Sequence, residues 1–199
     1  MNSASLPYVE HHQEPPELGV RLRIEVDRAA RAPIYAFFVT GVFWLLLGSV
    51  LALVASIKLH MRGFLADAAW LTFGRVRPAH LNTVIYGWSS AACIGAGLWM
   101  MSRLCRAPIR YSRLLFASVV LWNIGNAIGL AGVLGGWSTS VEWLEYPPFA
   151  ALVLTVAFVP VMIEAVSMVR RRQPCHGRSR LERWPRHRAR CRRWRMALR

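Results

Sequence analysis

Residues Ile34 to Ile57 read IYAFFVTGVFWLLLGSVLALVASI, a run with no charged residue. An α-helix rises about 1.5 Å per residue, and roughly 20 apolar residues cross the hydrocarbon of a bilayer. This run is long enough to cross. Three more apolar runs follow, at about His80–Ser102, Leu114–Gly136 and Phe149–Val169. In lipid the backbone must satisfy its own hydrogen bonds, which leaves the helix as the form of such segments. The expected fold class is all-α: a polytopic membrane helix bundle of about four transmembrane helices. The composition, 55% hydrophobic and 18% charged, argues against disorder, a collagen-like chain or a disulfide-rich secreted scaffold. Four cysteines without CxxC spacing argue against a disulfide framework or a zinc site. Cys93, inside an apolar run, is expected to pack as a small hydrophobe.

The formal net charge of +15 is unevenly divided. Residues 1–169 hold 12 Lys+Arg against 9 Asp+Glu, whereas residues 170–199 hold 13 Arg against the single acid Glu182. Three parts are expected: a polar N-terminal segment 1–32, a membrane domain 33–169 and an arginine-rich tail 170–199. No signal peptide is read at the start of the chain. Within the first part, Arg21 to Arg31 reads as a short lead-in at the membrane surface. The connection from Lys58 to Ala79 mixes charge with Phe64, Leu65, Trp70 and Phe73, and is expected to fold back on the bundle at the interface. The 103–113 loop carries four arginines and no acid, and the 137–148 loop carries no Lys or Arg. Basic loops stay on the cytoplasmic side. The N-terminus, the 103–113 loop and the C-terminus are therefore expected in the cytoplasm. Lys58, Arg62, Arg75 and Arg77 dissent, lying on the outer side, which suggests an anionic partner for Arg75 and Arg77 there. Gly87, Gly95 and Gly97 in the second run, and Gly125, Gly129 and Gly132 in the third, suit close helix approach.

His80 carries the most chemistry. A neutral imidazole at the outer end of a membrane helix can ligate haem iron, and arginines one turn away can pair with carboxylates. A histidine hydrogen-bonded to a backbone carbonyl at the interface fits the same position. His60 reads as a solvated interface residue. Asn123 and Asn126 suit interhelical hydrogen bonds. Glu164 lies close to Arg170, so it either snorkels to the inner surface or takes part in proton entry.

The string FGRVRPAHLNTVIYGW, Phe73 to Trp88, resembles the second-helix signature of subunit I of haem-copper terminal oxidases, cbb3-type branch above all. SIKLHMRGFL (56–65) and EWLEYPPFA (142–150) resemble the same subunit, so the likeness covers about residues 30–170. The resemblance implies the N-terminal third of a twelve-helix subunit in a bacterial inner membrane. It implies haem b with His80 as one of two axial ligands, and Arg77 and Arg75 near the haem propionates. Asn82 would face the bundle. Glu142 and Glu145 become candidate calcium ligands. Cytochrome c and other oxidase subunits are the implied partners; no nucleic acid is expected. In that family electrons pass from cytochrome c to oxygen with proton uptake.

The copper ligands, the high-spin haem ligand and the second haem b ligand lie on later helices of the full-length family. A chain with four helices is expected to be inactive alone in oxygen reduction. The tail RRRQPCHGRSRLERWPRHRARCRRWRMALR holds Arg, Pro, Cys, Trp and His but no Lys, the residues that GC-rich DNA yields out of frame. A frameshift near 170–175 is the expected cause. A genuine tail binding anionic lipid or RNA is the rival. A membrane scaffold or assembly protein without haem is the alternative for the whole chain.

Overall fold

The computed structural model describes residues 16–172. The expectations for the tail beyond Arg172, including Cys175 and Cys191, and for the first fifteen residues lie outside the described residues. Five α-helices follow one another: α1 Pro16–His60, α2 Phe73–Asn82, α3 Ser90–Cys105, α4 Ser112–Gly135 and α5 Pro148–Arg170. A π-helical turn, Thr83–Ser89, joins α2 to α3, so these two make one continuous rod. Four helical stretches are long and apolar enough to cross a membrane: Val20–His60, Phe73–Cys105, Ser112–Gly135 and Pro148–Arg170. The protein is a multi-pass membrane protein, and the all-α expectation holds.

Two boundaries differ from the sequence reading. The lead-in at 21–31 is not a separate surface segment but the first half of α1, which continues through Pro33. Its buried positions explain why. Ala30, Phe37, Trp44 and Leu51 form one row with a spacing of seven, and Ile34, Gly41, Gly48 and Ala55 form a second. This is the period of a helix seam packed on a neighbour, here α3 and the π turn. The seam keeps the helix going where charge and proline suggest a break. Asp27 fixes the same stretch, accepting from Arg103 Nε at 3.1 Å and Nη2 at 2.9 Å. Phe43, Leu46, Val50 and Leu53 point away from the seam. The second difference is the start of the second span, which begins at Phe73 rather than His80. The connection is therefore short, 61–72, with one 3-10 turn at Ala69–Leu71.

α4 packs on α5 through its glycines. A Cβ at Gly125 would stand 2.8 Å from Leu154 Cδ2, and one at Gly129 would stand 2.5 Å from the Tyr146 ring; at Gly132 it would meet Pro147. The small-residue expectation holds here and at Gly87, where a Cβ would lie 2.6 Å from Trp44 Cβ. The Tyr146 ring is fully enclosed and has no room to retreat. Gly129→Ala is therefore expected to cost about 1–3 kcal/mol by overpacking, read as a lower thermal midpoint in detergent. Cys93 differs from expectation: it is exposed on α3, while Cys105 is the buried one.

At the end of the bundle holding the 106–111 loop, Glu164 of α5 is completely buried. It neither snorkels nor lies free. Its carboxylate accepts the backbone N–H groups of Arg110 and Tyr111, both at 3.0 Å, and the Arg171 guanidinium at 3.1 Å. Tyr111 precedes α4, whose first turn has no side-chain cap of its own. Glu164 supplies that cap from another helix. Arg171 also donates to Pro108 O, so the loop is clamped on two sides.

Candidate functional site

The opposite end of the bundle gathers the residues singled out in the sequence. His80 lies in the last turn of α2, half-buried. Its Nδ1 stands 2.8 Å from the carbonyl oxygen of Gly48 on α1. A carbonyl only accepts, so Nδ1 donates and the ring is held through it. In the neutral ring that leaves Nε2 as the acceptor nitrogen, the arrangement a metal-ligating imidazole uses. Gly48 makes the contact possible: a Cβ there would stand 2.8 Å from Val84 Cγ2. The helices come close because Gly48 has no side chain, and its carbonyl is thereby delivered to the imidazole.

The two arginines have different surroundings. Arg75 Nη1 donates to Leu134 O at 3.0 Å, in the last turn of α4, and its guanidinium lies against Gly136. Gly136, at φ 92°, is the left-handed residue that ends α4. The last carbonyls of a helix have no partner within it and carry partial negative charge, so Arg75 caps α4 across the bundle. Arg77 Nη2 stands 3.7 Å from Glu142 Oε1, with both side chains more than half exposed. An exposed pair of that length contributes little and is easily exchanged for another anion. Arg75→Gln is therefore expected to lower the thermal midpoint by several degrees, whereas Arg77→Gln leaves it within about one degree. Melting the two variants side by side in detergent checks this asymmetry.

The 137–147 segment is tied to the same end. Asn82, completely buried, donates through Nδ2 to Pro78 O at 2.9 Å and to Glu145 Oε2. It faces the bundle as expected. Tyr86 donates to Trp143 O at 2.8 Å, and its ring stands 5.3 Å from that of Tyr146. Burial pushes the Tyr146 phenol well up, so it stays protonated and donates to Asn126 Oδ1 at 3.4 Å. Asn126 and Asn123 also donate to carbonyls one turn back, and Asn123 accepts the Trp44 indole N–H at 2.8 Å. His60 stays exposed, bonded to Ser56 O of its own helix. Sequence reasoning missed Gly48, Tyr86 and Tyr146. Only the glycine in an apolar run and the tyrosines beside the marked residues hinted at them.

A sequence profile of the family described as cytochrome C and quinol oxidase polypeptide I matches residues 32–176. The chain belongs to this oxidase family. Among its relatives is the "Cytochrome c oxidase subunit 1 homolog, bacteroid" of Bradyrhizobium diazoefficiens, 25% identical over 135 residues, covering 67% of this chain and 25% of the relative. The homolog from Azorhizobium caulinodans is 25% identical over 145 residues, covering 73% of this chain and 26% of that protein. The "Cbb3-type cytochrome c oxidase subunit CcoN1" of Stutzerimonas stutzeri is 21% identical over 140 residues, covering 70% and 30%. The chain thus spans about a quarter of the length of the first two relatives.

The oxidase family implies haem and copper, and the donor set separates the two. For haem, His80 offers an imidazole oriented through Nδ1, which would fit one axial position. For copper, no group of three or more His, Cys, Asp or Glu side chains gathers among the described residues. For calcium, Glu142 and Glu145 are each turned to a protein donor, Arg77 and Asn82.

Proposed function

We propose that this oxidase subunit I chain supplies His80 as one axial ligand of a haem b, as part of a cbb3-type cytochrome c oxidase of a bacterial inner membrane. The observation that carries the reading is the His80–Gly48 hydrogen bond, which holds the imidazole through Nδ1 against α1. Arg77 would pair with a propionate in place of Glu142. Arg75 would hold the end of α4 beside it. When bound, the haem supplies a one-electron carrier; the protein's part is to hold the imidazole tautomer, place cationic groups and exclude water. In the assembled oxidase, aerobic respiration would bring electrons from cytochrome c through this region towards oxygen, with other subunits as partners. Oxygen reduction would draw on copper ligands that do not gather among the described residues.

The orientation with the N-terminus in the cytoplasm is part of the same reading. It is supported by Arg103, Arg106, Arg110 and Arg113 lying at the end that Glu164 and Arg171 clamp, away from Glu142 and Glu145. The out-of-frame reading of the tail is supported by the family match stopping at residue 176. Because Arg171 is built into the fold, the break would lie beyond it. Sequencing the gene there and finding no downstream frame with apolar, histidine-bearing helices would remove that reading.

The test of haem binding is a titration of ferric haem b into the purified chain in detergent, with imidazole added as the second axial ligand. A low-spin b-type spectrum on reduction is expected. A spectrum identical to that of haem and imidazole in empty micelles would leave a scaffold without haem as the better account.

A further inference from the structure

The segment 137–147 reaches well below the end of α1. The uncharged run Ile34–Ile57 is about 36 Å long against roughly 30 Å of hydrocarbon, so Lys58 marks the edge of the apolar slab to within a few Å. Along α1, Gly48 lies about 15 Å inside that edge and Trp44 about 20 Å. His80 and Val84 both meet Gly48, which places Asn82, between them, near the first depth. Gly87 packs on Trp44, which places Tyr86 near the second. Asn82 holds the Glu145 carboxylate, and Tyr86 holds Trp143 O. The Tyr86 side chain and its hydrogen bond together span less than half of that depth. On the other side of the segment, the Tyr146 ring sits at Gly129, about 9 Å before α4 ends. Three contacts thus agree that Trp143 to Tyr146 lie within the apolar thickness, although this stretch is not helical.

Irregular backbone at such a depth must find its partners in the protein. Here Tyr86 serves Trp143 O, and Thr139 Oγ1 serves Leu144 O. Thr139 N–H donates to Glu145 O at 3.2 Å, and Leu144 N–H donates to Val141 O at 3.1 Å. Trp143 stands at φ 70°, left-handed backbone that glycine adopts freely and tryptophan does not. The Tyr86 bond fixes its carbonyl in that conformation, and the residue is left 53% exposed; Leu144 beside it is 45% exposed. Glu142 and Arg77 pair nearer the Phe73 end of the rod and give the segment a polar edge. We propose that 137–147 is a re-entrant segment whose Trp143 and Leu144 side chains are seated in phospholipid, at the border of acyl chains and headgroups. The amphipathic indole favours that border. The segment is then a membrane anchor and not a connection in water.

The test is fluorine NMR of the full, haem-free chain, labelled with 5-fluorotryptophan, in phosphatidylcholine nanodiscs. Trp143→Phe identifies the Trp143 line by its loss. Two paramagnetic probes are then added separately: a phospholipid with a nitroxide high on its acyl chain, and a gadolinium chelate confined to water. The lipid nitroxide is expected to broaden the Trp143 line severalfold, with little effect from gadolinium. Broadening chiefly by gadolinium would put the segment in water and overturn the proposal. A line untouched by either probe would mean that protein covers Trp143, by a second copy or by the chain itself, and would overturn it equally. Should Trp143→Phe fail to fold, Leu144→Trp adds one new line to the labelled chain, and the same two probes decide from its response.

Discussion

Glu164→Ala is expected to lower the stability of the described bundle by about 3–5 kcal/mol, the usual cost of removing one partner from a buried charge pair. The carboxylate is fully enclosed and has three donors: two backbone N–H groups just before α4 and the Arg171 guanidinium. Alanine leaves all three without an acceptor, inside a membrane protein where little water is at hand. At roughly 2–4 °C per kcal/mol for a chain of this size, the midpoint should drop by about 10 °C. Arg171→Ala should cost less, because Glu164 would keep its two backbone donors and Arg171 is 30% exposed. The ordering is the sharp part. If Arg171→Ala proved the more damaging change, or Glu164→Ala melted with the wild type, the carboxylate would not be the cap of α4. Any effect of Glu164 on proton movement in an assembled oxidase must be judged after this structural loss is removed.

The second large effect concerns His80→Ala. On the haem reading, the variant should bind haem b more than about 100-fold more weakly in the same titration, beyond the 10- to 100-fold typical of lost outer-shell partners. The fold should survive, since His80 is half-buried and makes a single hydrogen bond. Gly48→Ala extends the argument without touching the ligand. Its new methyl would press on Val84 and push α2 from α1, lengthening the bond that sets the imidazole. Weaker haem binding with His80 intact is expected, and circular dichroism would verify that both variants remain helical. Unchanged haem affinity in His80→Ala would move the ligand role to another residue.

The four crossings were legible because they rest on a local signal, apolar length; the dense motif singled out His80 without showing its contact with Gly48 O. The continuity of α1 was not. Arg21 to Arg31 and Pro33 look like an interruption, and only the partner helix shows that Val26, Ala30 and Ile34 extend the buried row. The start of α2 at Phe73 was hidden likewise, because three charged or proline positions precede His80. At both ends of the bundle, the missing half was backbone. Gly48 O and Leu134 O at the site, and the N–H groups of Arg110 and Tyr111 at the opposite end, are decisive partners, yet a peptide group leaves no mark in a sequence. The difference between Arg75 and Arg77 was hidden for the same reason; it lies in which one reaches the end of α4.

The π turn at Thr83–Ser89 has a further consequence for the rod that contains it. Ser90 N–H reaches back to Ile85 O, so this turn holds one residue more than an α-helical turn would. Each residue of an α-helix advances about 100° around its axis. The extra residue therefore acts as a phase correction between two halves of one rod. The upper half is clocked so that His80 meets Gly48, and the lower half so that Ala91, Ile94 and Leu98 meet the bundle. Closing the turn in α-helical geometry while keeping all its residues would put the halves out of phase by about a quarter turn. Either the histidine or the lower contact surface would then face the wrong way, although every side chain in the rod remained present.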